Sequence, residues 1–202
     1  CQQQALAALV NYFHGGGKNA ACVMAVGAGK TALGVVACLG LARRRALVVT
    51  PGTVIRGTFD KAFDHEAVGN VLYGLSGGPL IPGSPPPRVL TLDSDEAAIR
   101  SVSRDQLLAA DVIVTNFHSL GDGSNPDDLL AKLSDADIDF IVVDEAHIAG
   151  AESYQRTFEH FESARTFLMS ACFQRLDGKP IEADVVYRYR LVDSIAEGNA
   201  KN

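Results

Sequence analysis

An apolar strand, a glycine-containing turn and a helix follow one another in residues 20–43, and this succession constrains the fold more than any other part of the chain. Ala20–Met24 is a short apolar run of the kind that forms a buried strand, and Lys30–Arg43 has the pattern of a helix. Between them, Gly27 and Gly29 permit backbone conformations that other residues avoid. The segment therefore predicts a strand, a tight loop and a helix in direct succession.

The same alternation of short apolar runs and helical patterns continues along the chain. Further strands are predicted at Ala46–Thr50, Val89–Leu92, Asp111–Thr115, Ile138–Asp144 and Thr166–Ser170, and further helices at Val54–His65, Asp128–Leu133 and Glu152–Ser163. This rhythm is typical of a mainly parallel sheet that is covered by helices on both faces. The 202 residues are enough for one such three-layer α/β domain.

Two segments rich in turn-forming residues are predicted to be loops. Ser76–Pro87 is rich in glycine and proline and is interpreted as an exposed insertion, with a functional clamp as the alternative. Gly121–Asp127 comes directly before a predicted helix, and Asp127 could cap the N-terminus of that helix.

Composition and charge narrow the class of protein. No run approaches the roughly 20 apolar residues that a membrane helix needs, so a membrane protein is not expected. The net charge of -6 neither supports nor excludes a nucleic-acid partner, because a few local cations can bind phosphates. The four cysteines form no CxxC pair, and three of them lie in apolar surroundings, which favours a reducing, cytoplasmic compartment.

The turn after the first strand has the composition of a phosphate-binding loop. Met24–Thr31 reads Met-Ala-Val-Gly-Ala-Gly-Lys-Thr, with Met24 at the first glycine position of the strict pattern. Glycines let backbone N–H groups surround phosphates, and the N-terminus of the helix attracts anions. Lys30 is expected to reach the β- and γ-phosphates of ATP, and the Thr31 hydroxyl to ligate Mg²⁺. The candidate cofactor-binding residues of the loop are Gly27, Ala28, Gly29, Lys30 and Thr31.

A pair of carboxylates follows the most apolar strand of the sequence. Ile141-Val142-Val143 runs directly into Asp144-Glu145-Ala146-His147. Asp144 is expected to hold Mg²⁺, and Glu145 to orient and deprotonate the attacking water. His147 is expected to link this site to a neighbouring element. Both motifs lie at the carboxyl ends of predicted strands, where α/β sheets bind their ligands, so Lys30, Asp144 and Glu145 are the candidate catalytic residues.

With these two motifs in this order, the chain resembles the N-terminal RecA-like ATP-binding domain of superfamily-two DEAD/DEAH-box helicases. The resemblance implies a RecA-like sandwich, ATP and Mg²⁺ as cofactors, and movement on nucleic acid. Cys-Gln-Gln-Gln-Ala-Leu at the start resembles the family's adenine-reading glutamine motif. Gln2 is the candidate base-reading residue, although three consecutive glutamines leave the register open.

Two further segments resemble family motifs that contact the nucleic-acid backbone. Leu47–Ile55 resembles motif Ia, and Asp111–Leu120 resembles motif Ib. The nucleic-acid contacts that this resemblance implies are Pro51, Gly52, Arg56, Thr115 and Asn116.

The segment Phe167–Gly178 resembles motif III, which couples hydrolysis to movement in the family. Ser170 and Ala171 match this motif, whereas Cys172-Phe173 replaces its usual Thr-Pro. The following Gln174–Gly178 resembles the branch of restriction-enzyme motors and excision-repair translocases, which makes DNA a more favoured partner than RNA. His147, Ser170 and Ala171 are the candidate coupling residues.

The remaining motifs of the family lie on a second RecA-like domain. Residues 1–184 are therefore assigned to the first RecA-like domain, and residues 185–202 to the beginning of a link towards the second. The second domain supplies an arginine finger, so the isolated fragment is expected to be weakly active or inactive. Arg43, Arg44 and Arg45 are not a substitute, because cations at a helix end are interpreted as a solvent-exposed face. A nucleotide-binding scaffold without turnover is the alternative function.

Overall fold

A computed structural model describes residues 1–51, 53–67, 70, 85–92, 96–146, 151–171 and 183–196 of the protein. The strands are β1 (Asn19–Met24), β2 (Ala46–Thr50), β3 (Val89–Thr91), β4 (Val112–Asn116), β5 (Phe140–Val143), β6 (Arg165–Ser170) and β7 (Asp184–Tyr189). The helices are α1 (Gln2–His14), α2 (Lys30–Leu41), α3 (Thr53–Phe63), α4 (Glu96–Ser101), α5 (Arg104–Ala109), α6 (Phe117–Leu120), α7 (Leu129–Lys132), α8 (Ala151–His160) and α9 (Leu191–Ala196).

The described strands form one sheet in the order β3-β4-β2-β5-β6-β1-β7, and all of their pairings are parallel. The predicted parallel α/β sheet is therefore confirmed. Because the strands run in the same direction, the loops after β1, β2, β4, β5 and β6 meet at the same edge of the sheet. The phosphate-loop candidate follows β1, and the acidic pair follows β5, with β6 between these two strands.

Successive residues of the central strands alternate between two hydrophobic clusters. In β2, Ala46 and Val48 belong to the cluster that contains α1, α2 and α3, whereas Leu47 and Val49 belong to the cluster on the opposite face. The same alternation occurs in β5, where Phe140 and Val142 face one cluster and Ile141 and Val143 the other. Both faces of the sheet are covered, which explains why these strands are apolar throughout instead of alternating with polar residues.

Several predicted boundaries differ by one to three residues. β2 matches its prediction, whereas the predicted strand Ile138–Asp144 is regular only over Phe140–Val143. The helix predicted to reach Arg43 ends at Leu41. The reason is long-range: the Asp139 carboxylate accepts hydrogen bonds from the backbone N–H groups at positions 43, 44 and 45, at 2.7, 3.0 and 2.9 Å. Three consecutive N–H groups can converge on one carboxylate only where the chain leaves the helical conformation, so α2 ends before these residues.

The interpretation of the arginine cluster as a solvent-exposed face is wrong for one member. Arg43 and Arg44 are exposed, whereas Arg45 is buried. Its guanidinium donates to the carbonyls of Ala110 at 2.7 Å and Asp137 at 2.8 Å, and also to that of Leu108. Arg45 therefore joins β2 to the segments that precede β4 and β5.

The residue predicted to cap one short helix also needs correction. Asp128, and not Asp127, is the residue before α7, and its carboxylate accepts from the backbone N–H groups of Asp122 and Gly123. Most of the predicted loop Ser76–Pro87 lies outside the described residues. The strand Asp184–Tyr189, most of which was assigned to the beginning of a link, pairs with β1 at the edge of the sheet.

In the part of the chain that the structure describes, no helix has the length and apolar character to cross a membrane.

The burial of Arg45 leads to a stability prediction. Arg45→Met is expected to lower the free energy of unfolding by about 2–4 kcal/mol, because it leaves buried carbonyls without donors. Arg43→Met is the matched control and should change it by less than about 0.5 kcal/mol, since Arg43 is exposed. Denaturant unfolding of both variants measures the difference, and equal effects would contradict the assignment of Arg45 as a structural residue.

Candidate nucleotide-binding site

The loop between β1 and α2 has the backbone conformation of an anion-binding turn. Gly27 and Gly29 have φ values of 81°, in the left-handed region that side chains disfavour. Gly29 is the residue before α2, and no side chain caps this end of the helix. The first N–H groups of α2 are consequently available to a ligand, with the positive end of the helix dipole behind them.

Lys30 connects this loop to the acidic pair. Its side chain is largely buried, and its Nζ lies 3.3 Å from Oε1 of Glu145 and 3.4 Å from the carbonyl oxygen of Met24. The ion pair crosses the edge of the sheet from the loop after β1 to the loop after β5. The two motifs that were identified separately in the sequence therefore meet in one site.

Asp144 is a buried carboxyl group with a raised pKa. It is 4% exposed, and burial raises its pKa from 3.8 to about 6. The Glu145 N–H donates to Asp144 Oδ1 at 2.9 Å and opposes this rise, whereas the Glu145 charge adds to it. The charge of Lys30 lowers the pKa by a smaller amount. A cation bound beside Asp144 would therefore stabilise its ionised form.

The donor set fits Mg²⁺ in the company of phosphates. Mg²⁺ is commonly held by one or two carboxylates together with waters and substrate phosphates. Asp144 supplies a buried carboxylate, and Thr31 supplies a hydroxyl in the first turn of α2. No group of three or more His, Cys, Asp or Glu side chains in the described residues is arranged to hold a metal ion on its own. The site is therefore suited to a metal that arrives with a nucleotide.

Glu145 has an unusual backbone conformation. Its φ of 45° is the one positive φ of a non-glycine residue in the described part of the chain. Such conformations cost on the order of 1 kcal/mol or more and persist where the surrounding structure enforces them. Here the chain turns sharply after β5: Asp144 N–H donates to the Val49 carbonyl and Ala146 N–H to the Met169 carbonyl, each at 3.0 Å. This turn directs the Glu145 carboxylate towards Lys30.

The structure also distinguishes between the consecutive glutamines. The Gln2 side-chain amide donates to the Ala28 carbonyl at 3.3 Å, and a Cβ at Gly29 would overlap this amide. Gln4 accepts a hydrogen bond from the Tyr187 hydroxyl at 3.1 Å instead. Gln2 is therefore the glutamine that lies against the loop, which sequence spacing alone could not establish.

The candidate nucleic-acid residues occupy a different part of the same edge. Thr115 and Asn116 are buried, and Asn116 Oδ1 accepts from Ser119 N–H at 3.0 Å and so caps α6. Neither side chain is at the surface in this conformation. Pro51 is partly buried at the end of β2. Gly52 and the Arg56 side chain lie outside the described residues, although Arg56 is within α3.

Of the candidate coupling residues, two are described. Ser170 is buried at the end of β6, and Ala171 follows it, partly exposed. His147 lies outside the described residues. The Ala146–Met169 hydrogen bond joins the segment after the acidic pair to the residue before Ser170.

The Met24 carbonyl that holds Lys30 was not identified from the sequence, because a backbone acceptor leaves no signature in residue type.

The parallel sheet, the glycine loop and the acidic pair define a RecA-like P-loop domain of the superfamily-two helicase type. The model of the family "Type III restriction enzyme, res subunit" matches residues 1–175. The chain therefore belongs to this family. No curated protein matches the chain.

Solved structures support the fold. A nuclease-deletion mutant of the Type ISP restriction-modification enzyme LlaGI, solved with a DNA substrate mimic, aligns with a TM-score of 0.60 at 12% identity, covering 100% of this chain and 20% of that one. The Hef helicase domain from Pyrococcus furiosus aligns with a TM-score of 0.53 at 20% identity, covering 83% and 32%. A DEAD box protein from Methanococcus jannaschii aligns with a TM-score of 0.53 at 15% identity, covering 80% and 41%. The chain thus spans between a fifth and about two fifths of these proteins, and the likeness concerns the fold.

The raised pKa of Asp144 predicts a pH-dependent stability. Because the folded-state pKa lies above the unfolded value, the contribution of Asp144 to stability falls by up to roughly 3 kcal/mol as the pH rises from about 4 to about 6. Asp144→Asn retains an acceptor for the Glu145 N–H and removes the charge. It is expected to raise the free energy of unfolding of the nucleotide-free protein by about 1–3 kcal/mol at pH 8 and to change it little at pH 4.

Denaturant unfolding at the two pH values checks this expectation. Asp111→Asn is the control, since the hydrogen bond and charge of Arg88 lower the pKa of Asp111 and the stabilisation is lost as the pH falls. This variant should be slightly less stable than the wild type at pH 8. A loss of stability at pH 8 on replacing Asp144 would show that burial does not dominate its ionisation.

Proposed function

We propose that the chain is the ATP-binding motor domain of a DEAH-box helicase or translocase that couples ATP hydrolysis to movement on nucleic acid. The observation that carries this proposal is the Lys30–Glu145 ion pair, which brings the phosphate loop and the acidic pair into one site. Hydrolysis of a nucleoside triphosphate requires a phosphate-binding loop, a buried carboxylate for the metal and a carboxylate base.

In the proposed reaction, Lys30 exchanges the Glu145 carboxylate for the β- and γ-phosphates of ATP. The N–H groups of Gly27, Ala28 and Gly29 surround the phosphates, and Gln2 contacts the adenine. Thr31 and Asp144 would hold Mg²⁺, and the ion would supply positive charge that offsets the charge of the phosphates. Glu145, released from Lys30, orients the attacking water and accepts its proton.

Coupling is proposed to run through the backbone between the acidic pair and β6. Ala146 N–H donates to the Met169 carbonyl, so a shift of the loop that carries Glu145 displaces the chain beside Ser170 and Ala171. His147 is proposed to extend this connection to a neighbouring element. The proposed link between hydrolysis and movement is thus a hydrogen bond between backbone atoms.

The nucleic-acid track is proposed to be DNA and to lie along the ends of β2 and β4. Pro51, Gly52 and Arg56 are proposed to contact its backbone. Since Thr115 and Asn116 are buried, we propose that they act indirectly, Asn116 by capping α6. The preference for DNA rests on the resemblance of residues 174–178 to the translocase branch, and the similar LlaGI structure contains a DNA substrate mimic.

The domain is proposed to work against a second RecA-like domain that completes the site with an arginine finger. Residues 185–202 are proposed to be the beginning of the link to that domain, and the part of them up to Tyr189 pairs with β1. The fragment alone is proposed to turn over ATP weakly or not at all. A reducing, cytoplasmic location agrees with the free, buried thiols of Cys22 and Cys38.

The deciding measurement is the ATPase activity of the full-length protein without nucleic acid and with single-stranded DNA, duplex DNA or RNA. Glu145→Gln is expected to retain ATP binding and to lower kcat by about 10²- to 10⁴-fold, because the base is lost. Glu162→Gln, an exposed glutamate after α8, is the matched control and should leave the rate unchanged.

Stimulation by one nucleic acid, lost in Glu145→Gln, would support a motor and identify its track. Binding of ATP without turnover under every condition would favour the alternative function of a nucleotide-binding scaffold. The replacement of Thr-Pro by Cys172-Phe173 is the sequence observation that favours this alternative.

A further inference from the structure

A β-bulge in the edge strand β7 determines which of its side chains face α1. The pairing with β1 runs from Ala21 opposite Val185 to Cys22 opposite Tyr187, so Val186 is an extra residue. Without it, Tyr187 would lie on the same face as Val185, which packs in the opposite cluster. With it, Tyr187 packs in the cluster that contains α1. Bulges commonly redirect a side chain beside a functional site.

The side chain that this bulge redirects contacts the first turn of α1. The Tyr187 hydroxyl donates to Gln4 Oε1 at 3.1 Å, and so tethers this turn to the sheet. Gln2, two residues away in the same turn, is the side chain that lies against Ala28 and Gly29.

We infer that Tyr187 is a positioning residue for base recognition: it holds the first turn of α1 so that Gln2 stays beside the phosphate loop. This inference rests on the proposed function, in which Gln2 contacts the adenine. Tyr187 acts through Gln4 and α1, and no contact between Tyr187 and the nucleotide is required. Since the Tyr187 hydroxyl bonds α1 and not the phosphate loop, its loss is expected to leave phosphate binding unchanged.

A second tyrosine provides a matched control on the same helix. The Tyr12 hydroxyl lies 2.7 Å from Asp184 Oδ2 and 3.0 Å from the Asn19 carbonyl oxygen, and so ties the other end of α1 to β1 and β7. Tyr12 is eight residues beyond Gln4, or about 12 Å along the helix. Tyr12→Phe and Tyr187→Phe each remove one hydroxyl that joins α1 to the sheet, but only the Tyr187 hydroxyl is close to Gln2.

The experiment compares the affinities of the full-length protein for ADP and for pyrophosphate by calorimetry. These probes share the phosphates and differ in the adenosine. Tyr187→Phe is expected to weaken ADP binding by about three- to tenfold, the value of one hydrogen bond, and to leave pyrophosphate binding unchanged. Tyr12→Phe should leave the ratio of the two affinities unchanged even if it lowers stability. In Gln4→Met, which lacks the acceptor, adding Tyr187→Phe should weaken ADP binding less than it does in the wild type.

The inference is overturned if Tyr187→Phe leaves both affinities unchanged, if it weakens both equally, or if Tyr12→Phe changes their ratio as much. It is also overturned if the wild type binds pyrophosphate as tightly as ADP, since no base would then be recognised. A wild type that binds neither probe would instead refute the proposed nucleotide site itself. The failure of the inference and the failure of the proposed function therefore give different results.

Discussion

The parallel pairing of β2, β5, β6 and β1 is the constraint on which the site depends. Because these strands run in one direction and in register, the residues after β1 and β5 emerge at one edge, although they are more than a hundred positions apart in the chain. The ion pair of Lys30 with Glu145 joins these two ends across β6. Side chains on both faces of the central strands are buried. Packing of the core therefore fixes the ends of these strands and the starting points of the loops that follow them.

The site has a cost in stability that the apolar core must offset. Asp144 is a carboxyl group buried at the end of β5, and Glu145 adopts a positive φ beside it. The loop after β1 depends on two glycines in the left-handed region. None of these features improves packing, and each becomes useful once phosphates and a cation are bound. Local strain and buried charge of this kind are expected where a protein must bind a highly charged ligand.

Local sequence patterns were sufficient for the central strands and for the two motifs. Ala46–Thr50 was predicted to the residue because a strand buried on both faces is apolar throughout. The end of α2, the burial of Arg45 and the cap that Asn116 forms on α6 were not predicted, since each depends on partners far away in the sequence or on backbone atoms. The sequence also left open which glutamine contacts the phosphate loop, because only the packing of α1 shows that Gln2, and not Gln4, lies on this loop.

The edge strand β7 contacts both helix α1 and the loop after β1. Its last residue, Tyr189, is buried in the cluster that contains α1, and its carbonyl accepts from the N–H of Ala25, the first residue of the phosphate loop. Its bulge turns Tyr187 towards Gln4. The same strand then continues into α9, where Arg190 bonds Asp193 through its backbone N–H and its guanidinium. The loop after β1 and helix α1 are thus both hydrogen-bonded to the strand through which the chain leaves the sheet.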